Sequence, residues 1–113
     1  MKKILIIGGG AMGSAFSIPC LDNNHKVFIT EPYSQRFIKN LSSKNKFHSA
    51  LKINLPKKLI FKKYAKELFL EKYDLIVIAL SLSGINLVGK ELKKHKVKSP
   101  ILVLTKGLRY EKK

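Results

Sequence analysis

Short apolar runs alternate with longer amphipathic stretches along the whole chain. The runs are rich in aliphatic and β-branched residues and end at glycine or polar positions, which is typical of buried strands. They predict five strands, at residues 3–7, 26–30, 58–61, 73–80 and 101–105. The run at 73–80 is apolar at every position from Leu75 to Leu80, so it predicts a central strand of a parallel sheet.

The amphipathic stretches predict four helices between these strands. They span residues 11–21, 35–41, 64–70 and 82–95. Ser34 is a candidate cap for the second helix, and residues 42–52 are predicted to form a polar loop. Pro19 lies inside the first helix, where a proline removes a backbone hydrogen bond at a cost of about 3 kcal/mol. We therefore expect a disturbance near the end of that helix.

The alternation of strands and helices predicts the fold class. It is typical of an α/β protein with a parallel sheet, helices on the sheet faces and right-handed crossovers. We expect the strand order 3-2-1-4-5, a partial doubly wound sheet. The chain has 113 residues, enough for one compact domain, and shows no linker or internal repeat. We therefore assign residues 1–113 to a single domain.

The net charge of the chain bears on whether it binds anionic partners. Lys and Arg total 23 against 7 Asp and Glu, which gives a net charge of +16 and makes nucleic acid or an anionic membrane a possible partner. The basic residues are mostly lysines scattered along the chain, without regularly interleaved aromatics, as is typical of a solvated surface. We therefore predict no specific nucleic-acid partner, and keep a basic nucleic-acid-binding domain as an alternative.

The cysteine, the histidines and the apolar runs indicate the cellular compartment and which kinds of site to expect. A single cysteine, Cys20, rules out an internal disulfide and suits a reducing cytoplasm. The three histidines are far apart in sequence, which gives no support for a metal site. No apolar run approaches the roughly 18 residues of a membrane span. The basic start and apolar run resemble a signal peptide, but glycines interrupt the run, and we expect a cytoplasmic protein.

A glycine motif carries the main functional signal. Gly8, Gly10 and Gly13 form a G-x-G-x-x-G pattern that follows a predicted strand and opens a predicted helix. In such a motif the first glycine allows the tight turn, the second lets the backbone approach a pyrophosphate and the third lets the helix pack on the strand. The helix N-terminus then presents N–H groups to the phosphates. The motif predicts a dinucleotide site, although glycines that serve packing alone are the alternative.

Glu31 refines the choice of cofactor. It lies about 18 residues after Gly13, at the end of the second strand, close to the spacing of the acidic ribose ligand. A carboxylate there accepts hydrogen bonds from the ribose hydroxyls and repels a 2′-phosphate, which favours NAD over NADP. A solvent-facing glutamate in a Glu-Pro turn is the alternative interpretation.

Two further strand ends lie at the same predicted edge of the sheet, where ligands bind in open α/β sheets. Ser81 follows the fourth strand and is a candidate for the nicotinamide side, while Ser83 is a candidate N-cap of the next helix. Lys106 follows the fifth strand, where its ammonium group could hold an anionic substrate or a cofactor phosphate. An ordinary exposed lysine explains its position equally well.

With these residues, the chain resembles the N-terminal domain of NAD(P)-dependent glycerol-3-phosphate dehydrogenase, a Rossmann-type domain. The matching segments include IIGGGAMGSAF, NNHKVFI, NKFHSALKINLP, VIALS and TKGL, and they cover nearly the whole chain. The resemblance implies that Ala11 and Met12 contact the cofactor together with the three glycines. It also implies that Lys106 touches both the cofactor and the substrate phosphate.

Several positions depart from the family pattern. Met12 stands where the family usually has an aromatic residue, and Leu80 where a proline is common. Pro32, preceded by Glu31, stands where the family often has a basic or imidazole residue, so NADP is disfavoured. The family also has a helical C-terminal domain that supplies the acid–base lysine, and residues 1–113 do not include it. We therefore expect no catalytic residue within these residues.

The resemblance implies an oxidoreductase that interconverts dihydroxyacetone phosphate and glycerol 3-phosphate with NAD(H), in the supply of phospholipid precursors. We expect this chain to be its NAD-binding domain, working with a separate C-terminal domain or as a homo-oligomer. A non-catalytic dinucleotide-binding module is the alternative. A related reductase of the ketopantoate or 6-phosphogluconate type is a further one, which the TKGL segment disfavours.

Overall fold

The computed structural model describes residues 1–33, 38–39, 46–48 and 51–104. Seven strands and two α-helices are described. The strands are β1 (Lys3–Ile7), β2 (Lys26–Thr30), β3 (Phe47–His48), β4 (Ile53–Asn54), β5 (Ile60–Phe61), β6 (Leu75–Ile78) and β7 (Ile101–Val103). The helices are α1 (Ala11–Asp22), a 3₁₀ helix (Lys66–Leu70) and α2 (Leu82–Lys94).

Five strands form one parallel sheet in the order β5-β2-β1-β6-β7. Counting only these sheet strands along the chain, this is the predicted order 3-2-1-4-5. The chain moves outward from β1 through β2 to β5 and then returns to β6 on the other side of β1. The carboxyl end of β1 is therefore the point where the strand order reverses, which is where ligands bind in doubly wound sheets.

Alternating side chains of the strands build two apolar layers. On one face Ile4, Ile6, Val27 and Ile29 pack with α1 residues such as the half-buried Phe16. The residues of the other face pack with α2 and the 3₁₀ helix. They include Leu5, Ile7, Phe28, Ile76 and Ile78, which pack with Val88 and Leu92 of α2. Burial of both faces explains why the central strands are continuous apolar runs.

Both α-helices end in the same way. Each has a left-handed residue after its C-cap, Asn24 with φ of 64° after α1 and Lys96 with φ of 54° after α2. The next N–H donates back into the helix, from His25 to the Cys20 oxygen at 3.1 Å and from Val97 to the Leu92 oxygen at 3.0 Å. These are Schellman motifs, which satisfy the last helical carbonyls.

Two sequence expectations need correction, and the position of Pro19 is now defined. Residues 42–52 are not simply a loop, because β3 and β4 pair as an antiparallel hairpin with Phe47 opposite Asn54. The predicted helix at 64–70 is a 3₁₀ helix. Pro19 is exposed, and α1 runs past it to Asp22, with the Asn23 N–H donating to the Pro19 oxygen at 3.1 Å. The helix therefore accommodates the proline on its solvent side.

The helix predicted at 35–41, with its Ser34 cap, lies mostly outside the described residues. Ile38 and Lys39 are described and are helical. The described residues contain no helix long and apolar enough to cross a membrane.

Candidate dinucleotide site

The turn between β1 and α1 depends on two glycines that no other residue could replace without strain. Gly8 has φ of 122°, and a Cβ atom there would lie 2.3 Å from the Ala79 carbonyl oxygen. Gly13, in the first turn of α1, would bring a Cβ atom 2.1 Å from the Gly8 oxygen. The two glycines thus allow β1, α1 and the end of β6 to approach each other closely.

Gly10 differs from its neighbours because a Cβ atom there would meet none of the described residues within 4 Å. Its backbone angles, φ of −68° and ψ of −174°, are accessible to any residue. Gly10 is the N-cap of α1, and within the described part of the chain no side chain caps the helix at this end. The open space at Gly10 therefore lies beside N–H groups that need an acceptor.

The carbonyl and N–H of Gly9 are both held by buried side chains. Glu31 Oε1 accepts the Gly9 N–H at 2.6 Å, and Glu31 Oε2 accepts the Tyr33 N–H at 2.8 Å. The Gly9 oxygen accepts from Ser14 Oγ at 3.0 Å and lies 2.9 Å from His48 Nε2. Glu31 and His48 are 6% and 5% exposed, so these bonds form away from solvent.

The other predicted site residues take the following positions. Ala11 and Met12 are half-buried in the first turn of α1. Pro32 is half-buried directly after Glu31. Ser81, not Ser83, is the N-cap of α2, and its Oγ accepts the Gly84 N–H at 3.4 Å.

Lys106 and the rest of the TKGL segment lie outside the described residues. The roles assigned to these residues from the sequence, including ribose binding by Glu31, stay predictions.

Three loops meet at the carboxyl edge of the sheet. Ile7 pairs with both Thr30 and Ile78, so the residues that follow β1, β2 and β6 begin at one level. The loop after β2 reaches the start of α2, where a Cβ atom on Gly84 would lie 3.3 Å from the Tyr33 ring. The glycine turn, Glu31 and the N-terminus of α2 therefore border one region.

His48 also belongs to this site, although the sequence did not predict it. His48 is 39 residues from Gly9 along the chain, and only the hairpin formed by β3 and β4 brings the two together. A single histidine in a polar segment belongs to no hydrophobic period that would indicate its position in the fold. Within the described part of the chain no group of three metal-ligating side chains occurs.

The fold and the glycine turn define the class of protein: a Rossmann domain that binds a dinucleotide, as found in dehydrogenases. The sequence model of the family described as NAD-dependent glycerol-3-phosphate dehydrogenase N-terminus matches residues 3–113. The chain belongs to this family.

Individual relatives agree with this assignment. The NADP(+)-dependent glycerol-3-phosphate dehydrogenase of Archaeoglobus fulgidus is 31% identical over 107 residues, which cover 93% of this chain and 31% of that protein. The glycerol-3-phosphate dehydrogenase of Coxiella burnetii superposes with a TM-score of 0.76 at 17% identity, over 93% of this chain and 32% of the other. The chain thus spans about a third of the length of these relatives.

A different reductase shares the fold. The 2-dehydropantoate 2-reductase of Methylococcus capsulatus superposes with a TM-score of 0.61 at 19% identity, over 90% of this chain and 33% of the other. At such identities the solved structures show the fold alone, and the family assignment depends on the sequence match.

Proposed function

We propose that the chain is the NAD(H)-binding domain of a glycerol-3-phosphate dehydrogenase. The observation that carries the proposal is the open space at Gly10 beside the uncapped N-terminus of α1. Gly8 and Gly13 are needed for packing, but no contact with the described residues requires a glycine at position 10. A ligand that approaches the backbone there explains why this position lacks a side chain.

The first N–H groups of α1 are the proposed ligands of the pyrophosphate. Gly10, Ala11, Met12 and Gly13 supply them, and the partial positive charge of the helix N-terminus favours an anion. The first turn of α1 holds no acidic residue that would oppose this charge. The residues present therefore fit a dinucleotide diphosphate.

For the choice of cofactor we propose NAD. Glu31 places a carboxylate at the end of β2, where it would oppose the 2′-phosphate of NADP. A carboxylate has about four lone-pair sites, so the oxygens that accept the Gly9 and Tyr33 N–H groups can also accept from a ribose hydroxyl. The archaeal relative is named as NADP-dependent, so the choice needs a direct test with both cofactors.

For the reaction we propose hydride transfer between NAD(H) and C2 of glycerol 3-phosphate or dihydroxyacetone phosphate, in the cytoplasm. The bound nicotinamide would supply the hydride chemistry. Lys106 is proposed to hold the substrate phosphate. A helical C-terminal domain is proposed to supply the acid–base lysine and to complete the cleft, because hydride transfer requires both reactants to be held in near contact.

Titration of the purified chain with NADH and NADPH, by fluorescence or calorimetry, tests the binding function. We expect saturable binding, with NADH tighter than NADPH, and loss of binding in Gly10→Val. Gly89→Val is the matched control, because Gly89 lies in α2 and a Cβ atom there also lies more than 4 Å from every other described residue it could contact. Absence of saturable binding, or equal binding by Gly10→Val and wild type, would refute the proposal.

A second assay addresses the reaction. The chain is mixed with the helical C-terminal domain of a relative, and NADH oxidation is followed with dihydroxyacetone phosphate as substrate. We expect turnover that Lys106→Ala reduces. NADH binding without turnover in the mixture would favour the non-catalytic module instead.

A further inference from the structure

The contacts of His48 point to a role in the proposed dinucleotide site, although the β3–β4 hairpin lies outside the glycine motif. The Leu51 N–H donates to His48 Nδ1 at 3.2 Å, so Nδ1 is the acceptor nitrogen of the ring. Nε2 then carries the hydrogen and donates it to the Gly9 oxygen at 2.9 Å. The hairpin thus fixes both the tautomer and the direction of the imidazole.

The bond to Gly9 determines the direction of the next N–H. The Gly9 carbonyl and the Gly10 N–H belong to one planar peptide unit, and the structure has no cis peptide bond among its described residues. In a trans peptide the C=O and N–H point in opposite directions. Because His48 and Ser14 hold the Gly9 oxygen, the Gly10 N–H is directed away from the hairpin.

The preceding peptide unit is fixed in the same way from the other side. The Gly9 N–H donates to Glu31, so the Gly8 oxygen of that unit points away from Glu31. Two consecutive peptide planes of the glycine turn are therefore held by the side chains of Glu31, Ser14 and His48. Without these bonds, rotation of the Gly9–Gly10 plane would direct a carbonyl oxygen toward the bound diphosphate and weaken its binding by charge repulsion.

We propose that His48 is a positioning residue of the dinucleotide site, which orients the Gly10 N–H toward the cofactor pyrophosphate. The proposal rests on the proposed function, since it assigns a role within the same site. The hairpin is held against the sheet, because Leu55, directly after β4, is buried in the apolar layer that contains Val27 and Ile29. His48 therefore has support besides its bond to the glycine turn.

Two amide variants test separately the hydrogen bonds that the His48 ring makes with Leu51 and with Gly9. The amide nitrogen of His48→Gln can reach the position of Nε2 and donate to Gly9, whereas His48→Asn keeps an acceptor near Nδ1 for Leu51 and lacks the donor to Gly9. We expect His48→Asn to weaken NADH binding about five- to tenfold, as for the loss of one hydrogen bond. We expect His48→Gln to bind NADH within about twofold of wild type, by the same conversion.

Adenosine, which lacks the pyrophosphate, distinguishes positioning from a general structural role. We expect its affinity to be the same in wild type and His48→Asn. If His48→Asn binds NADH as wild type does, or loses NADH and adenosine affinity equally, the proposal is wrong. If wild type itself binds no NADH, the proposed function fails first, and the two failures are distinguishable.

A measurement on the wild-type chain covers the case in which the variants do not fold. In amide NMR spectra we expect NADH to shift the Gly10 N–H strongly, because this group becomes a phosphate ligand. The Gly9 N–H, which donates to Glu31, should shift little. A large shift at Gly9 with none at Gly10 would overturn the proposal.

Discussion

Gly13 faces Gly8 so closely that a Cβ atom at Gly13 would lie 2.1 Å from the Gly8 carbonyl oxygen. The N-terminus of α1 is thereby pressed against the carboxyl end of β1, where the proposed phosphate site lies. The same Cβ atom would be 3.2 Å from the Ala79 side chain at the end of β6. The absence of a Cβ atom at Gly13 thus allows both the packing of α1 on the sheet and the exposure of the proposed phosphate site.

Gly13→Ala should destabilise the domain more than Gly10→Ala does. The added methyl group at Gly13 must displace backbone, which costs about 1–3 kcal/mol or more in free energy of unfolding. At Gly10 the methyl group meets open space, and the cost is that of alanine at an N-cap, about 1 kcal/mol or less. Urea unfolding of the two variants measures the difference. Equal stabilities would contradict the close approach of α1 to β1.

Thr30→Val should stabilise the domain. Thr30 is fully buried at the end of β2, and its Oγ1 has no hydrogen-bond partner among the described residues. Valine has the same shape and removes this unsatisfied group, so we expect a gain of about 1 kcal/mol in the free energy of unfolding. Thr30→Ser is the control, because it keeps the hydroxyl and loses the methyl group. A less stable valine variant in thermal or urea unfolding would show that the hydroxyl has a partner.

Lys96→Gly should also raise the free energy of unfolding. Lys96 has φ of 54° in the Schellman motif after α2, a conformation that costs a residue with a Cβ atom about 1–2 kcal/mol. Glycine avoids this cost but loses more entropy on folding, so the expected net gain is about 1 kcal/mol. Asn24→Gly, at the equivalent position after α1, should gain less because asparagine tolerates this region better. A loss of stability in Lys96→Gly on thermal unfolding would contradict this.

The main sheet could be predicted from the sequence because its central strands are buried on both faces. β1 and β2 agree with the predicted bounds to the residue, since each apolar run ends where the chain leaves the sheet. The glycine motif could be recognised because its residues are close in sequence, with a fixed spacing between a strand and a helix. The hairpin of β3 and β4 could not, because two-residue strands are too short to show a period.

The hydrogen bonds of the candidate site were beyond sequence reasoning for a different reason. The spacing of Glu31 predicts a ribose ligand, but the bond that it makes to the Gly9 N–H depends on the rotamer of a buried side chain. His48 reaches Gly9 only through tertiary packing of the hairpin. Spacing along the sequence thus predicts which residues lie at the sheet edge. It does not predict which backbone groups their side chains bind.

Glu71 makes the stability of the domain sensitive to acid. Its Oε1 lies 2.6 Å from Lys3 Nζ, at the start of β1, and its Oε2 accepts from Lys62 Nζ, after β5. Hydrogen bonds from Lys3 and then Lys62 lower the pKa of Glu71 from 4.5 to about 2. The carboxylate therefore stabilises the folded chain at neutral pH, because the folded state holds it ionised more strongly than the unfolded state does.

The sign of the effect follows from the depressed pKa. The contribution of Glu71 is fully present above its unfolded pKa of 4.5 and is lost as the pH falls from there toward about 2. Urea unfolding at a series of pH values should show this loss in wild type, and a shallower slope in Glu71→Gln. Because Glu71 is 41% exposed, salt should reduce the difference between the two proteins. If Glu71→Gln and wild type lose stability in parallel between pH 4.5 and 2, the two lysines do not hold the carboxylate in solution.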